Sequence, residues 1–335
     1  MQVSSLSPLK KTSLAKKLTV AAKLLLFVGI LLFLLAKLWQ HEASWHSMLA
    51  QLARGWHSPA NGWVGLALLL VPLNWLLEAL KWQVLVRRIQ AASLGSSCQA
   101  VLAGLSLGLL TPRSLGDYAG RLLVHGSQHK VRMLGVVLLN RLVQSLSTFL
   151  GGLLGILILI VTLGLWQSQE LVWLLLPSLL GLLALLGLMG PLRQRLLLRL
   201  QQWVGEKWLR WLTPLTEYSV RELLLVNAWG LLRYGVFSFQ FVCLLWWAGI
   251  VLPLGLLLAG VAATFLIKTL VPAFNLLSDL GVREFSALLI FSLLEQPQAE
   301  VVAASLLLWF LNICLPSLAG LGVVLQLRRK LALSE

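Results

Sequence analysis

Acidic side chains are scarce in this sequence: Asp and Glu number 12 in 335 residues, against 27 Lys and Arg. General acid–base chemistry and divalent-metal chemistry therefore have few groups to draw on. Cysteine is scarcer still. Cys98, Cys243 and Cys314 lie far apart and form no CxxC pair, which argues against a metal site or a disulfide framework and for small buried apolar residues. His41, His46, His57, His125 and His129 fall in or beside the loops between apolar runs and are expected at the membrane interface. His125 and His129 have a spacing that puts two ligands on one helix face, but no nearby acid completes a metal site. GxSxG, HExxH and Walker patterns are missing, so no catalytic residue, metal or cofactor is assigned and the chain is not expected to be an enzyme. Charged residues make up only 12%, too few to coat a soluble domain of this length. Segments alternating polar and apolar are absent as well, which excludes a membrane β-barrel.

Apolar residues fill the gap. They make up 59% of the chain, whose mean hydropathy is +0.87. Several runs reach the roughly 20 residues needed to cross a hydrocarbon core, and inside lipid only helices satisfy the backbone of such runs. The fold class is an all-α polytopic integral membrane protein. Full spans are predicted near 20–39, 63–86, 133–165, 171–190, 223–248 and 299–325. Lys10, Lys11, Lys16 and Lys17 precede the run from Val20 to Trp39, as in a signal peptide. That run is too long and lacks a small-residue cleavage site, so a retained first span is expected.

Two further apolar regions are interrupted. One covers 97–124 and breaks at Thr111-Pro112-Arg113-Ser114-Leu115-Gly116-Asp117; the other covers 254–294 and breaks between Pro272 and Glu284. The connections between spans separate by charge. The N-terminal lysines, Arg87-Arg88, Lys130 with Arg132, the segment from Arg193 to Arg221, and Arg328-Arg329-Lys330 form a basic group. The remaining connections carry almost no positive charge. The positive-inside bias then places both termini in the cytoplasm. The first broken region enters and leaves from the cytoplasm, and the second enters and leaves from the exterior.

The order is thus span, span, hairpin, span, repeated with opposite orientation, which is the inverted-repeat plan of many transporters. The first repeat covers 1–190. Residues 191–222, with Trp203, Trp208 and Trp211 among basic residues, read as an amphipathic connector on the cytoplasmic face. Residues 223–335 complete the second repeat, whose first span is 171–190.

The formal net charge of +15 would suggest nucleic acid in a soluble protein. Here it is assigned to the positive-inside bias and to anionic headgroups, and no nucleic-acid partner is expected.

Ionisable residues at membrane depth are functional candidates by default. In the first break Pro112 ends the entering helix and Gly116 permits a tight reversal. A second half-helix starting near Gly116 would offer free N–H groups to an anion; alternatively Asp117 caps that helix and pairs with Arg121 four residues on. The second break repeats these residue types with Asp279, Gly281, Arg283 and Glu284, and Lys268 stands just before it. Asn140-Arg141 and Arg233-Tyr234 lie inside spans, so both arginines face the protein interior or snorkel. Glu78 and Lys81 read as a local pair. The deep group is Arg113, Arg121, Arg141, Arg233, Lys268 and Arg283 against Asp117, Asp279 and Glu284, a positive surplus suited to phosphate. Pro112, Gly116, Asp117, Tyr118, Asp279, Gly281 and Glu284 are assigned to shaping the pocket.

The same segments carry a family resemblance. Leu109-Leu110-Thr111-Pro112-Arg113-Ser114-Leu115-Gly116-Asp117-Tyr118 is similar to the Pro-Gly-x-x-Gly-Glu/Asp-Tyr motif of the lysylphosphatidylglycerol synthase transmembrane-region family. Leu280-Gly281-Val282-Arg283-Glu284 resembles that family's Gly-Val-x-Glu motif, and Leu139-Asn140-Arg141-Leu142 its Glu-Arg helix segment. Arg113 replaces the usual glycine of the first motif, and Pro272 stands farther from Gly281 than in many members. The resemblance implies the flippase-like membrane half without the aminoacyl-transferase domain, so lysine transfer is not expected. It implies a bacterial inner-membrane protein that translocates an anionic phospholipid or a lipid-linked phosphate. Two alternatives stand beside that reading. One is an embedded enzyme acting on a lipid phosphate with Asp117 or Glu284 as base. The other is a non-transporting partner of an envelope-synthesis enzyme.

Overall fold

A computed structural model describes residues 53, 60–111, 115–126, 130–164, 170–189, 195, 217–271 and 278–332. The span expected at 20–39 and most of the connector at 191–222 lie outside the described residues, as do Pro112, Arg113, His129 and Pro272. The described elements are all helical: α1 (Asn61–Val86), α2 (Leu94–Leu110), α3 (Leu115–His125), α4 (Lys130–Leu163), α5 (Glu170–Met189), α6 (Val220–Trp247), α7 (Leu254–Leu270), α8 (Ser278–Leu293), α9 (Gln298–Trp309) and α10 (Leu315–Ala332). A π turn, Phe310–Cys314, joins the last two without a break.

Among the described residues, four stretches are long and apolar enough to cross a membrane: Asn61–Val86, Val131–Leu163, Val220–Trp247 and Gln298–Leu327. The molecule is an integral membrane protein. The segment expected to span at 171–190 is helical as α5, but its apolar part, Leu175–Gly187, counts among the shorter helices with Leu94–Leu109 and Leu254–Leu270. Leu150, Leu154, Leu157 and Val161 on α4 and Leu176, Leu179, Leu180 and Leu183 on α5 stay exposed on the protein. In a bilayer such a surface meets lipid rather than water.

Helix starts follow ordinary capping chemistry. Ser93 Oγ accepts the Ser96 N–H at the start of α2. Ser219 and Glu222 form a reciprocal capping box on α6. Glu222 also takes both prongs of Arg88, and Tyr218 donates to the Leu85 carbonyl at 2.6 Å. Those contacts tie the end of α1 to the start of α6. Burial pushes the Tyr218 hydroxyl above the ordinary phenol range, so it stays protonated and donating.

The packing order is what positions the site. Helices α1 and α6 lie against each other, and Gln240 of α6 donates to the Ala67 carbonyl of α1 at 2.9 Å. The two interrupted regions are helical hairpins, α2 with α3 and α7 with α8. Each hairpin then packs its first helix on the far half of the chain: α2 against α10, and α7 against α4. A glycine permits the approach each time. A Cβ on Gly320 of α10 would strike the Leu102 carbonyl of α2, and one on Gly155 of α4 would strike the Ala259 carbonyl of α7.

Candidate functional site

The site grows from one carboxylate. Glu78 lies on α1 and is 4% exposed. A carboxylate so placed is strongly disfavoured unless its charge is met by partners. Lys81 Nζ lies 2.7 Å from it, Arg121 of α3 3.2 Å and Arg233 of α6 3.4 Å. Asn140 of α4 donates to the same carboxylate at 2.8 Å. Four helices thus converge on a residue that reads, in sequence, as half of a local pair with Lys81. The local pair exists at the shortest distance of these ion pairs, and Arg121, Arg233 and Asn140 join it from three other helices.

A second carboxylate extends the network. Asp117, in the first turn of α3, accepts Arg121 Nε at 2.7 Å and Arg141 Nη2 at 3.2 Å. The pairing with Arg121 expected from the i, i+4 spacing is present. Arg121 bridges both acids, and its guanidinium lies 4.2 Å from the centre of the Trp82 ring. The Trp82 indole in turn donates to His125 Nε2 at 3.2 Å. His125 is the last residue of α3, beside the connection to α4 as expected, and its side chain is buried against Trp82. Among the described residues no group of His, Cys, Asp or Glu is placed to hold a metal.

Gly116 also differs from expectation. It is the second residue of α3 and is not among the glycines at positive φ. Thr111 spans the break instead, donating to the Leu107 carbonyl at 2.9 Å and accepting the Gly116 N–H at 2.6 Å. Glycine is needed because a Cβ there would strike the Leu107 carbonyl; Gly120, one turn on, meets the Ala103 backbone in the same way. Close approach of two helices, not a strained turn, fixes this position.

Two adjoining cavities open beside the network. The larger, about 410 Å³, is lined by Glu78, Lys81, Asp117, Arg121, Asn140 and Arg141, with Ser145 and Gln144 of α4. The smaller, about 220 Å³, is lined by Asn74, Tyr234, Phe237, Phe265, Arg283 and Asn312. Trp75, Leu105, Gln144, Thr148, Arg233, Lys268 and Thr269 line both. Gln144 accepts Arg233 Nη1 at 2.8 Å and Lys81 Nζ at 3.4 Å on the shared wall.

The second hairpin contributes differently. Arg283 Nη2 donates to Glu284 at 2.7 Å, and its Nε to Ser305 Oγ at 2.9 Å. Ser305 of α9 also donates to Glu284, at 2.8 Å. Arg283 reaches the smaller cavity, whereas Glu284 is not on its wall.

Over residues 20–320 the sequence matches the family described as the lysylphosphatidylglycerol synthase TM region. The chain belongs to this family. No curated protein and no solved structure matches it. Of the segments that resemble the family's motifs, Asp117 and Arg141 lie on the larger cavity and Arg283 on the smaller. Tyr118 packs at the edge of the core formed by α1, α2 and α4, and Gly281 is buried within α8. The Asp279 side chain lies outside the described residues, like Arg113 and Pro112. Arg121, Arg141, Arg233, Lys268 and Arg283 all reach one or both cavities. Sequence reasoning left out Glu78 as the hub, and with it Trp75 and Gln144. One signal was present: an acid within an otherwise apolar span needs partners from other helices.

Proposed function

We propose that this protein binds the anionic headgroup of a phospholipid or lipid-linked phosphate in the paired cavities and carries it across the inner membrane. One observation carries the reading: the cavities are lined by Lys81, Arg121, Arg141, Arg233, Lys268 and Arg283, against Glu78 and Asp117 on the walls and Glu284 behind Arg283. That leaves a surplus of positive charge among the described residues, inside a membrane protein, where such charge is costly unless it serves a ligand or a pathway. Guanidinium groups match phosphate oxygens in a two-pronged geometry. The membrane-family membership supports a lipid as the source of the phosphate.

The chain is read as two inverted repeats with cytoplasmic termini. The exchange of hairpins between halves, α2 on α10 and α7 on α4, supports that reading, because a two-fold relation between halves makes such contacts in pairs. Rocking of the halves about the α1–α6 contact would expose the cavities to either side in turn. Asp117 and Glu284, the two candidate bases, are each held by arginine. That arrangement favours carriage over chemistry.

The test is lipid movement in proteoliposomes, using fluorescent phosphatidylglycerol and a membrane-impermeant quencher, with Arg233→Gln alongside. Movement above empty vesicles that falls at least about tenfold in the variant is the expected result. Movement by neither protein, with both eluting as folded monodisperse species, refutes transport of this lipid class.

A further inference from the structure

Resting on the reading just given, we infer that Lys81 is a proton site coupled to the anion: its amine is neutral without the lipid and takes up a proton as the lipid phosphate binds. Lys81 is 0% exposed and lies on the wall of the larger cavity. Three basic side chains, Lys81, Arg121 and Arg233, share the Glu78 carboxylate at 2.7, 3.2 and 3.4 Å. The other described groups around the cluster do not relieve that crowding. Asp117 of α3 is taken by Arg121 and Arg141, α4 adds the neutral Asn140 and Gln144, and α7 adds Lys268 on the same cavity. Helix α2 and the π turn, which also pack on α1, carry no Asp, Glu, Lys, Arg or His.

Like charges gathered away from water are relieved when one of them can shed a proton. Guanidinium groups keep theirs at any ordinary pH, so Lys81 is the member of the trio that yields. Its contacts permit this. A neutral amine keeps two N–H donors, and the described residues offer Nζ two acceptors, Glu78 and Gln144 Oε1, the latter at 3.4 Å. An ammonium has a third donor, which is left for the cavity. A phosphate held by Arg233, on the wall shared by both cavities, brings the negative charge that favours the ammonium. The proton comes from water onto the Nζ lone pair, and no other bond forms or breaks. Lipid anion and proton together then add no net charge to the site. A pH difference across the membrane, rather than a voltage, would bias such a carrier.

The purified full chain in phosphatidylcholine nanodiscs would be titrated with phosphatidylglycerol, whose phosphodiester stays ionised, in weak buffer with a pH-indicator dye. Uptake of up to about one proton per lipid bound is expected, with affinity falling by as much as about tenfold per unit as pH rises through about 7 to 9. Lys81→Arg supplies a cation that does not titrate, and Lys81→Gln a neutral donor. In both, the proton uptake and the pH dependence of binding are expected to vanish. Lipid binding without proton uptake by the wild-type chain overturns the inference and leaves the anionic-lipid reading intact. Uptake that persists in Lys81→Arg overturns it as well, and its loss in His125→Gln would then put the proton on that imidazole. Loss of binding by both Lys81 variants at every pH, with both eluting as folded monodisperse species, makes Lys81 a lipid contact alone and equally overturns the inference. Failure of phosphatidylglycerol to bind the wild-type chain removes both readings together.

Discussion

The two helical hairpins carry similar residues to opposite ends. In α2–α3, Asp117 is shared between Arg121 of its own helix and Arg141 of α4, whose side chain is 46% exposed. In α7–α8, Arg283 and Glu284 are adjacent, 1% and 3% exposed, and both bond to Ser305 of α9. The first arrangement faces a cavity with its charges spread over several helices. The second turns its acid away from the cavity and locks α8 to α9. An Asp/Glu–Arg pair within an interrupted span thus does not by itself say ligand site or anchor; burial and the third partner decide.

The sharpest way to break this contrast is to remove the anchor's acid. Glu284→Ala leaves Arg283 buried without its carboxylate, and a loss of about 3–5 kcal/mol of stability is expected. Thermal unfolding in detergent would show it, as a lower midpoint or as failure to purify a folded protein. A wild-type midpoint would mean that the pair is not a structural lock. Gly120→Ala tests the first hairpin's scaffold without touching charge. The added methyl meets the Ala103 backbone, which cannot step aside as a side chain can, and a cost of about 1–3 kcal/mol is expected in the same assay.

Glu78→Gln probes the hub. It leaves Lys81, Arg121 and Arg233 with less opposing charge, so affinity for phosphatidylglycerol in nanodiscs should rise while stability falls by about 1–3 kcal/mol. Weaker binding with unchanged stability would show that Glu78 orients the arginines rather than restraining them. Arg141→Gln lies at the far end of the scale. Half-exposed and on the rim, it should change stability by less than about 1 kcal/mol. Its effect belongs to lipid binding, where a several-fold loss is expected. If Arg141→Gln instead unfolds the protein and Glu284→Ala does not, the two hairpins have been assigned the wrong way round.

Much of the scaffold is legible in the sequence. Hydropathy located the four long spans found among the described residues, and the interruptions located both hairpins, because backbone chemistry in lipid leaves little choice of element. Cations were also legible, since an arginine in an apolar run announces itself. What sequence concealed was convergence. Glu78 meets partners 43, 62 and 155 positions away, on helices whose mutual rotation no local pattern specifies. The i, i+3 neighbour Lys81 was visible and therefore absorbed the whole explanation. Gly116 failed for a related reason. Beside Pro112 a glycine suggests a turn, and only the packed hairpin reveals that α2 leaves no room for a Cβ.

The π turn at Phe310–Cys314 has one further consequence. A π turn is an α-helix carrying one residue more than its hydrogen-bond ladder needs. That surplus is taken up within the turn, so α9, which holds Ser305 against Arg283, and α10, which lays Gly320 on α2, keep the phase of one continuous helix. Asn312, within the turn, takes a hydrogen bond from Asn74 of α1 at 3.0 Å. Deleting one residue there would restore the α-helical ladder and leave α10 in phase, whereas deleting one from the regular helix on either side would rotate everything after it by about 100°. Gly320 would swing away from α2 and a bulkier neighbour would take its place. The last helix is therefore timed like a gear with one spare tooth, and it forgives a lost residue at Phe310–Cys314 more readily than one lost from its regular turns.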